Sequence, residues 1–466
     1  MKKIFITMLL PVVAICTMAQ STARTFNLKN SADSQSVLTA FLPINSSGRA
    51  VVDCPGGGYS HLSMQNEGTD WAEYFNHLGI AYFVLKYRMP VGDRTIPMND
   101  AENAIRTVRD SATSWKINPR DVGIMGSSAG GHLASTVCTH AEWAGRPNFS
   151  ILFYPVISMD ERITHKGSVV GFLGDGRSDK KLVEQYSNDK QVRSHLTPPA
   201  IILLANDDRA VPPVTNGVAY YSAMRRAGNN CAMYIYPSGG HGFGYRSTFA
   251  YHGQMLNDLT CWLNTLKAPR TGAVRVACIG NSITDGYGID ISDYRGYPAQ
   301  LQGLLGDNYN VKNFGVGART MLNRGDHPYM QELAWRDALA FNPNVVILKL
   351  GTNDSKPENW QYGADFGANM QQMVDSLKSL PTKPKIYLCT PIKAFKSAWG
   401  INDSIIVNAI TPIIYKIAKR NKLNVIDLHT LFGNDEKLVI SDGIHPNEMG
   451  AGKIAEIVAI EIKKSK

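Results

Sequence analysis

Short apolar runs alternate with helix-length stretches along this chain, with a single interruption near residue 270. Ala50–Val52, Ile80–Leu85, Val122–Met125 and Ile201–Leu204 are apolar runs separated by helical patterning. Such runs specify strands of a parallel sheet buried on both faces. Between them, Asp100 is placed to cap a helix through about Trp115, with Ala101, Ala104, Ile105 and Val108 as its apolar stripe. A last helix, about 253–266, closes the unit. Lys267-Ala268-Pro269-Arg270-Thr271-Gly272 then breaks the pattern with both Pro and Gly. A new strand starts at Val274, others follow at 345–348 and 386–388, and the second half does not repeat the first. The expectation is α/β architecture in two different domains, 25–267 and 274–466, joined by a linker at 268–273. With 466 residues, each domain is large enough to bury its own core.

The N-terminus reads as an export signal over residues 1–19. Lys2 and Lys3 precede an apolar run from Ile4 to Ile15, and Thr17-Met18-Ala19 forms a small-residue cleavage site before Gln20. The run is shorter than a spanning helix needs, and no later stretch is long and apolar enough, so a secreted or periplasmic protein without stable membrane insertion is expected. The formal net charge is +9, but the lysines and arginines are spread without a block. That distribution reads as a solvated surface rather than a nucleic-acid interface. The six cysteines beyond the leader, Cys54, Cys138, Cys231, Cys261, Cys278 and Cys389, are widely spaced and read as buried thiols rather than a disulfide framework. No Cys-x-x-Cys or His-rich cluster suggests a metal site.

Gly126-Ser127-Ser128-Ala129-Gly130 follows the strand ending near Met125 and opens a helix toward His140. Glycines flanking a serine permit the tight strand-to-helix turn that lifts its hydroxyl above a sheet. Downstream, Asp208 follows the strand ending at Leu204, and His241 follows a strand over 232–236. The order Ser, Asp, His, with the last two in loops after strands, is the order of an α/β-hydrolase triad. In it Ser128 is the nucleophile, His241 the base, and Asp208 the group that fixes the imidazole tautomer. Asp207 adjoins Asp208, but Asp208 fits the Asp-x-x-Val-Pro pattern. Pro55-Gly56-Gly57-Gly58-Tyr59 follows the strand at Ala50–Val52. Gly57 and Gly58 there, with the Ala129 N–H, are the candidate oxyanion donors.

These blocks, with Leu85-Lys86-Tyr87-Arg88 and Thr197-Pro198-Pro199, resemble the α/β-hydrolase superfamily, especially its bacterial acetyl-xylan and feruloyl esterase-like branch, over about residues 45–266. One departure is Pro55, where many relatives carry His before the glycines; backbone donors survive that change.

The second half carries Gly280-Asn281-Ser282, Asn313-Phe314-Gly315-Val316-Gly317-Ala318-Arg319, Gly351-Thr352-Asn353-Asp354 and Ser441-Asp442-Gly443-Ile444-His445-Pro446. Asp442 and His445 stand three apart, so one loop can present both to Ser282 as a compact triad. The Asn353 side-chain amide follows a strand and can face an oxyanion. The four blocks occur in the order of the SGNH (GDSL-like) hydrolases, which this half resembles over about 274–463. The resemblance implies a flavodoxin-like three-layer fold with Ser282 as nucleophile, His445 as base, Asp442 as its partner, and Asn353 and Ala318 as oxyanion donors. Ala318 stands where the family usually has Gly, and the alignment slips by one to Gly317 in the alternative. Asn281 departs from the Asp common before the nucleophile. Asp285 and Asp354 read as loop-fixing or helix-capping residues. Trp71, Trp115, Trp360 and Trp399 read either as sugar-stacking or as packing residues.

Together the resemblances imply a serine esterase removing O-acetyl or other acyl groups from carbohydrate, with acetylated xylan first, and no metal or organic cofactor. A sialate or other sugar O-acetylesterase, feruloyl ester cleavage by the first domain, and a glycan-binding protein with one live site are the alternatives. No residue pattern sets the orientation of the domains or an oligomeric state.

Overall fold

The computed structural model describes residues 24–464; the expected leader, with Cys16, lies outside them. The first sheet comprises β1 (Arg24–Lys29), β2 (Val37–Leu42), β3 (Ala50–Cys54), β4 (Ala81–Lys86), β5 (Val122–Ser127), β6 (Ser150–Phe153), β7 (Ala200–Ala205) and β8 (Cys231–Tyr236). Their spatial order is β1-β2-β4-β3-β5-β6-β7-β8. Strands β3 to β8 run parallel, whereas β1 and β2 pair antiparallel at one edge, so the sheet is mixed rather than purely parallel. The edge differs because β1 is exposed or half-exposed along its length, without the continuous burial of a central strand. In the centre both faces are covered. Ala50, Val52 and Cys54 join one core and Val51 the other, giving three layers.

The chain reverses direction across this sheet at β3, whose sequence neighbour β4 lies on one side and β5 on the other. A crevice opens at the carboxyl ends of strands where the order reverses, and ligands bind there in open α/β sheets. The segment 55–58 leaves β3 at that point, and Ser128 leaves β5 beside it.

The second sheet comprises β9 (Val274–Gly280), β10 (Tyr309–Gly315), β11 (Val345–Lys349), β12 (Lys385–Cys389) and β13 (Asn424–Ile426), in the order β10-β9-β11-β12-β13. Every pairing is parallel, and the doubly wound order has its reversal at β9. Ala277 and Ile279 face one core and Val276 and Cys278 the other. Ser282 leaves β9 at the reversal point, as Ser128 does at its own.

Two local expectations are corrected. Asp100 caps nothing: the helix starts earlier, at Thr95, and Asp100 lies inside it. There the buried carboxylate accepts from the Arg88 backbone N–H at 2.9 Å and from its guanidinium at 2.7 Å. A charged pairing across the fold held that position, whereas Asp93 two residues before Thr95 accepts its N–H. Of the cysteines, Cys54, Cys138, Cys278 and Cys389 are buried, but Cys231 is only partly so and Cys261 is exposed. Cys261 sits on the outer face of the helix His252–Thr265, whose inner face carries Met255, Leu259, Trp262 and Leu263.

The helix His252–Thr265 and strand β9 leave a short connection, and the two domains pack on one another. Trp143 of the first domain sets its ring tilted 6.0 Å from Phe314 and edge-on 5.5 Å from Phe341 of the second. Arg146 pairs with Asp337 in a buried bridge. His195 of the first domain sits between Asp293 (2.7 Å) and Asp285 (3.1 Å) of the second. Burial alone lowers its basicity, but the two carboxylates outweigh that and push it up to about 10. Among the described residues no helix is long and apolar enough to cross a membrane.

Candidate active sites

Ser128 opens the helix Ser128–His140 directly after β5 and holds a left-handed φ of 53°. The flanking glycines are required by close approach. A Cβ on Gly126 would stand 2.2 Å from the Gly130 carbonyl oxygen, and one on Gly130 would stand 1.9 Å from that of Cys54. Only a bare backbone lets helix and strand come this near, so the turn presents the serine from a strained position.

His241 Nε2 lies 2.8 Å from Ser128 Oγ, and its Nδ1 lies 2.7 Å from Asp208 Oδ2. The other Asp208 oxygen accepts the N–H groups of Ala210 and Val211, both at 2.9 Å. That fork fixes the carboxylate, which is buried, against the imidazole. Asp207 instead accepts the Gly240 N–H at 2.8 Å, tying down the loop that carries His241.

The segment 55–58 passes over Ser128: a Cβ on Gly56 would meet Ser128 Cβ at 3.0 Å. Gly57 and Gly58 follow at φ 136° and 66°. The first-turn N–H groups of the helix, Ala129 among them, have no acceptor inside it. Sequence reasoning missed what holds the loop. Glu67 is buried and accepts the Gly56 N–H at 3.0 Å through one oxygen and the Tyr154 hydroxyl at 2.7 Å through the other. Tyr154 in turn accepts the Gly244 N–H at 2.9 Å and sets its ring edge-on 4.9 Å from His241. One buried carboxylate thus ties the 55–58 loop to the loop of His241. His165, also missed, lies over the loop, with Cε1 3.5 Å from where a Gly58 Cβ would be. Burial and the neighbouring His241 lower its basicity. Neither residue lies in a motif, so only the fold reveals them.

At the second site, His445 Nε2 lies 2.7 Å from Ser282 Oγ and Nδ1 lies 2.8 Å from Asp442 Oδ2. Asp442 Oδ1 accepts the N–H groups of Ile444 (2.7 Å) and His445 (2.9 Å), so the three-residue spacing closes a small ring. Burial raises the Asp442 carboxyl, and those N–H groups with the imidazole outweigh it and hold it below the ordinary aspartate value. For His445, burial outweighs Asp442 and leaves the imidazole below the ordinary histidine value.

Ala318 sits at φ 66°, whereas Gly317 does not occupy the left-handed region. The conformation that favours Gly therefore falls on Ala318. Asn353 Nδ2 donates to the Arg319 carbonyl at 3.1 Å, which places its amide beside the loop of Ala318. Asp354 is wholly buried and accepts the N–H groups of Met321 and Leu322, fixing that loop; burial pushes its carboxyl up to about 6. Asp285 bridges to His195 of the first domain.

Asn281 caps the short helix Ser282–Asp285 by accepting the Ile283 N–H at 3.1 Å. Its oxygen also faces the Lys349 ammonium at 3.4 Å. Lys349 is fully buried at the end of β11, and burial pulls its ammonium down to about 7. An aspartate at 281 would confront that lysine with a full charge; the amide leaves a weakly polar pair next to Ser282. Among the tryptophans, Trp71 is core, Trp115 packs between Phe26 and Phe83, and Trp360 packs on Phe366. Trp399 alone of these four is largely exposed.

The model of the α/β hydrolase fold matches residues 51–244, and that of the GDSL-like lipase/acylhydrolase family matches residues 278–453. The chain is 58% identical to an acetylxylan esterase of Xylanibacter ruminicola over 480 residues, covering 99% of this chain and 100% of that protein. It belongs to that esterase family. It is a hydrolase with two catalytic-type domains, as both halves of the sequence imply. It is also 35% identical to endo-1,4-beta-xylanase B of Butyrivibrio fibrisolvens over 203 residues, 40% of this chain and 31% of that one. An acetyl ester-xyloside bifunctional hydrolase from Caldicellulosiruptor lactoaceticus is 33% identical, covering 49% of this chain and 88% of that chain at a TM-score of 0.46.

Proposed function

We propose that the chain is an exported esterase that removes acetyl groups from xylan at two independent serine sites. The observation that carries this reading is the pair of unbroken Ser–His–Asp chains, each at the carboxyl end of a sheet where the strand order reverses. The substrate is supported by the full-length identity to an acetylxylan esterase. Export is supported by the leader-like residues 1–19, with their charged start and short apolar run.

At the first site Ser128 Oγ attacks the ester carbonyl while its proton passes to His241 Nε2. The N–H groups of Gly57 or Gly58 and Ala129 receive the oxyanion. His241 then delivers the proton to the departing sugar oxygen, leaving an acetyl-serine. Water, activated by the same imidazole, releases acetate and restores the hydroxyl. At the second site Ser282, His445 and Asp442 repeat the cycle, with the Ala318 N–H and Asn353 amide as oxyanion donors. Each such donor is worth about 10²–10³ in rate.

Acetate release from acetylated xylan by wild type, Ser128→Ala, Ser282→Ala and the double variant tests this. Each single variant should lose part of the release, and the double variant all of it. A single substitution that abolishes release would leave the other domain as a binder or an esterase for another ester. A wild type that releases no acetate from xylan would remove the substrate assignment.

A further inference from the structure

Beside the second site stand two large aromatic side chains that core packing does not explain. Tyr287 is 51% and Trp399 is 54% exposed. Their ring centroids lie 4.5 Å and 5.5 Å from that of the His445 imidazole, and 6.3 Å from each other at an interplanar angle of 88°. They therefore form a corner, one wall and one floor, against the catalytic base.

The position of Trp399 is held rather than incidental. Its backbone occupies φ 52°, ψ 27°, the left-handed region that a side-chain-bearing residue enters only against a cost. Its loop is strapped to the catalytic loop at two points. The Phe395 N–H donates to the Gly443 carbonyl at 2.8 Å, and Lys396 Nζ donates to the Ser441 carbonyl at 2.9 Å. A strained, exposed, anchored indole touching a catalytic imidazole marks a surface kept for a ligand.

The chemistry of the step says which part of the ligand meets it. His445 Nε2 faces Ser282 and must hand its proton to the alcohol that departs on acylation. Groups packed around that imidazole on its open side border the departing alcohol, not the acyl group. In a sugar ester the departing alcohol is the sugar itself. Aromatic faces suit the C–H faces of a pyranose, and the Tyr287 hydroxyl adds a polar tip at the rim.

We propose that Trp399 and Tyr287 form a pyranose-binding subsite on the leaving-group side of Ser282, selecting carbohydrate over simple alkyl acetates. This rests on reading Ser282 as an esterase nucleophile acting on carbohydrate. The test uses the full chain carrying Ser128→Ala, so that only the second site reports, and compares kcat/KM for acetylated xylotriose with that for ethyl acetate. Trp399→Gly removes the ring and suits the left-handed backbone, so it adds no strain. The ratio of the two kcat/KM values should fall about tenfold in Trp399→Gly, chiefly through KM for the xylotriose, and Trp399→Phe should recover most of it.

A ratio unchanged within about twofold overturns the subsite. Equal losses on both substrates also overturn it, because the ring would then be a support for His445. If the Ser128→Ala protein hydrolyses ethyl acetate but not acetylated xylotriose, the carbohydrate reading of this site falls first, and the subsite with it.

Discussion

Gly130→Ala isolates the contact on which the first site depends. The Cβ it adds would stand 1.9 Å from the Cys54 carbonyl oxygen and 2.6 Å from that of Pro55. Both obstacles are backbone, so no side chain can swing away. To reach even a tight contact, the helix Ser128–His140 and the end of β3 must separate by roughly 1 Å or more. That displacement falls between Ser128 and the loop carrying Gly57 and Gly58, the two halves of the proposed oxyanion site. Misplacing catalytic groups by about 1 Å costs on the order of 10²-fold in rate, and overpacking costs about 1–3 kcal/mol of stability. For a domain of this size the second figure lowers Tm by roughly 2–12 °C. The assay is esterase kinetics on an aryl acetate in a Ser282→Ala background, with thermal unfolding in parallel. The same substitution in a Ser128→Ala background should leave the second site at its normal rate, which separates local wedging from general damage. A Gly130→Ala enzyme with unchanged kcat and unchanged Tm would refute the close approach of helix, strand and loop.

Two further outcomes follow from electrostatics. Because His445 is held below the ordinary histidine value and must be neutral to act as base, the second site should stay active into more acidic solution. In Ser128→Ala protein the acid limb of kcat/KM should have its midpoint below about pH 6.5, and a midpoint above that would contradict the burial argument. His195→Gln should loosen the domain interface, because Asp285 and Asp293 lose the cation between them, at a cost of about 3 kcal/mol near pH 6. The His195 value is raised on folding to about 10, so its contribution is complete below about pH 6.5 and is lost as pH rises to about 10. Melting curves of wild type and variant should therefore converge across that range, and a constant gap would mean the histidine is neutral.

The serine, histidine and aspartate that hydrogen bonds join at each candidate site all lie in short sequence blocks, on strand-to-helix turns and loops whose spacing is local. Asp442 and His445 are three apart, and the ring of N–H bonds that joins them is closed within those residues. The apolar runs likewise marked the central strands, since burial on both faces leaves no polar position to blur them. The edge pair β1 and β2 left no such trace, being half exposed.

Features set by residues from separate segments of the chain left no comparable signal. Glu67 ties Gly56 to Tyr154, and Tyr154 ties it onward to Gly244, a link among four segments with no shared motif. Asp100 looked like a cap because its local sequence suits one; Arg88 claimed it instead. The left-handed φ falls on Ala318 and not on Gly317, a difference of backbone angle that residue type does not carry. Trp399 was separated from three packed tryptophans by exposure alone. The orientation of the domains follows from Trp143, Arg146 and His195 meeting partners more than about ninety positions away in sequence, and non-local contacts of that kind write no periodicity into a chain.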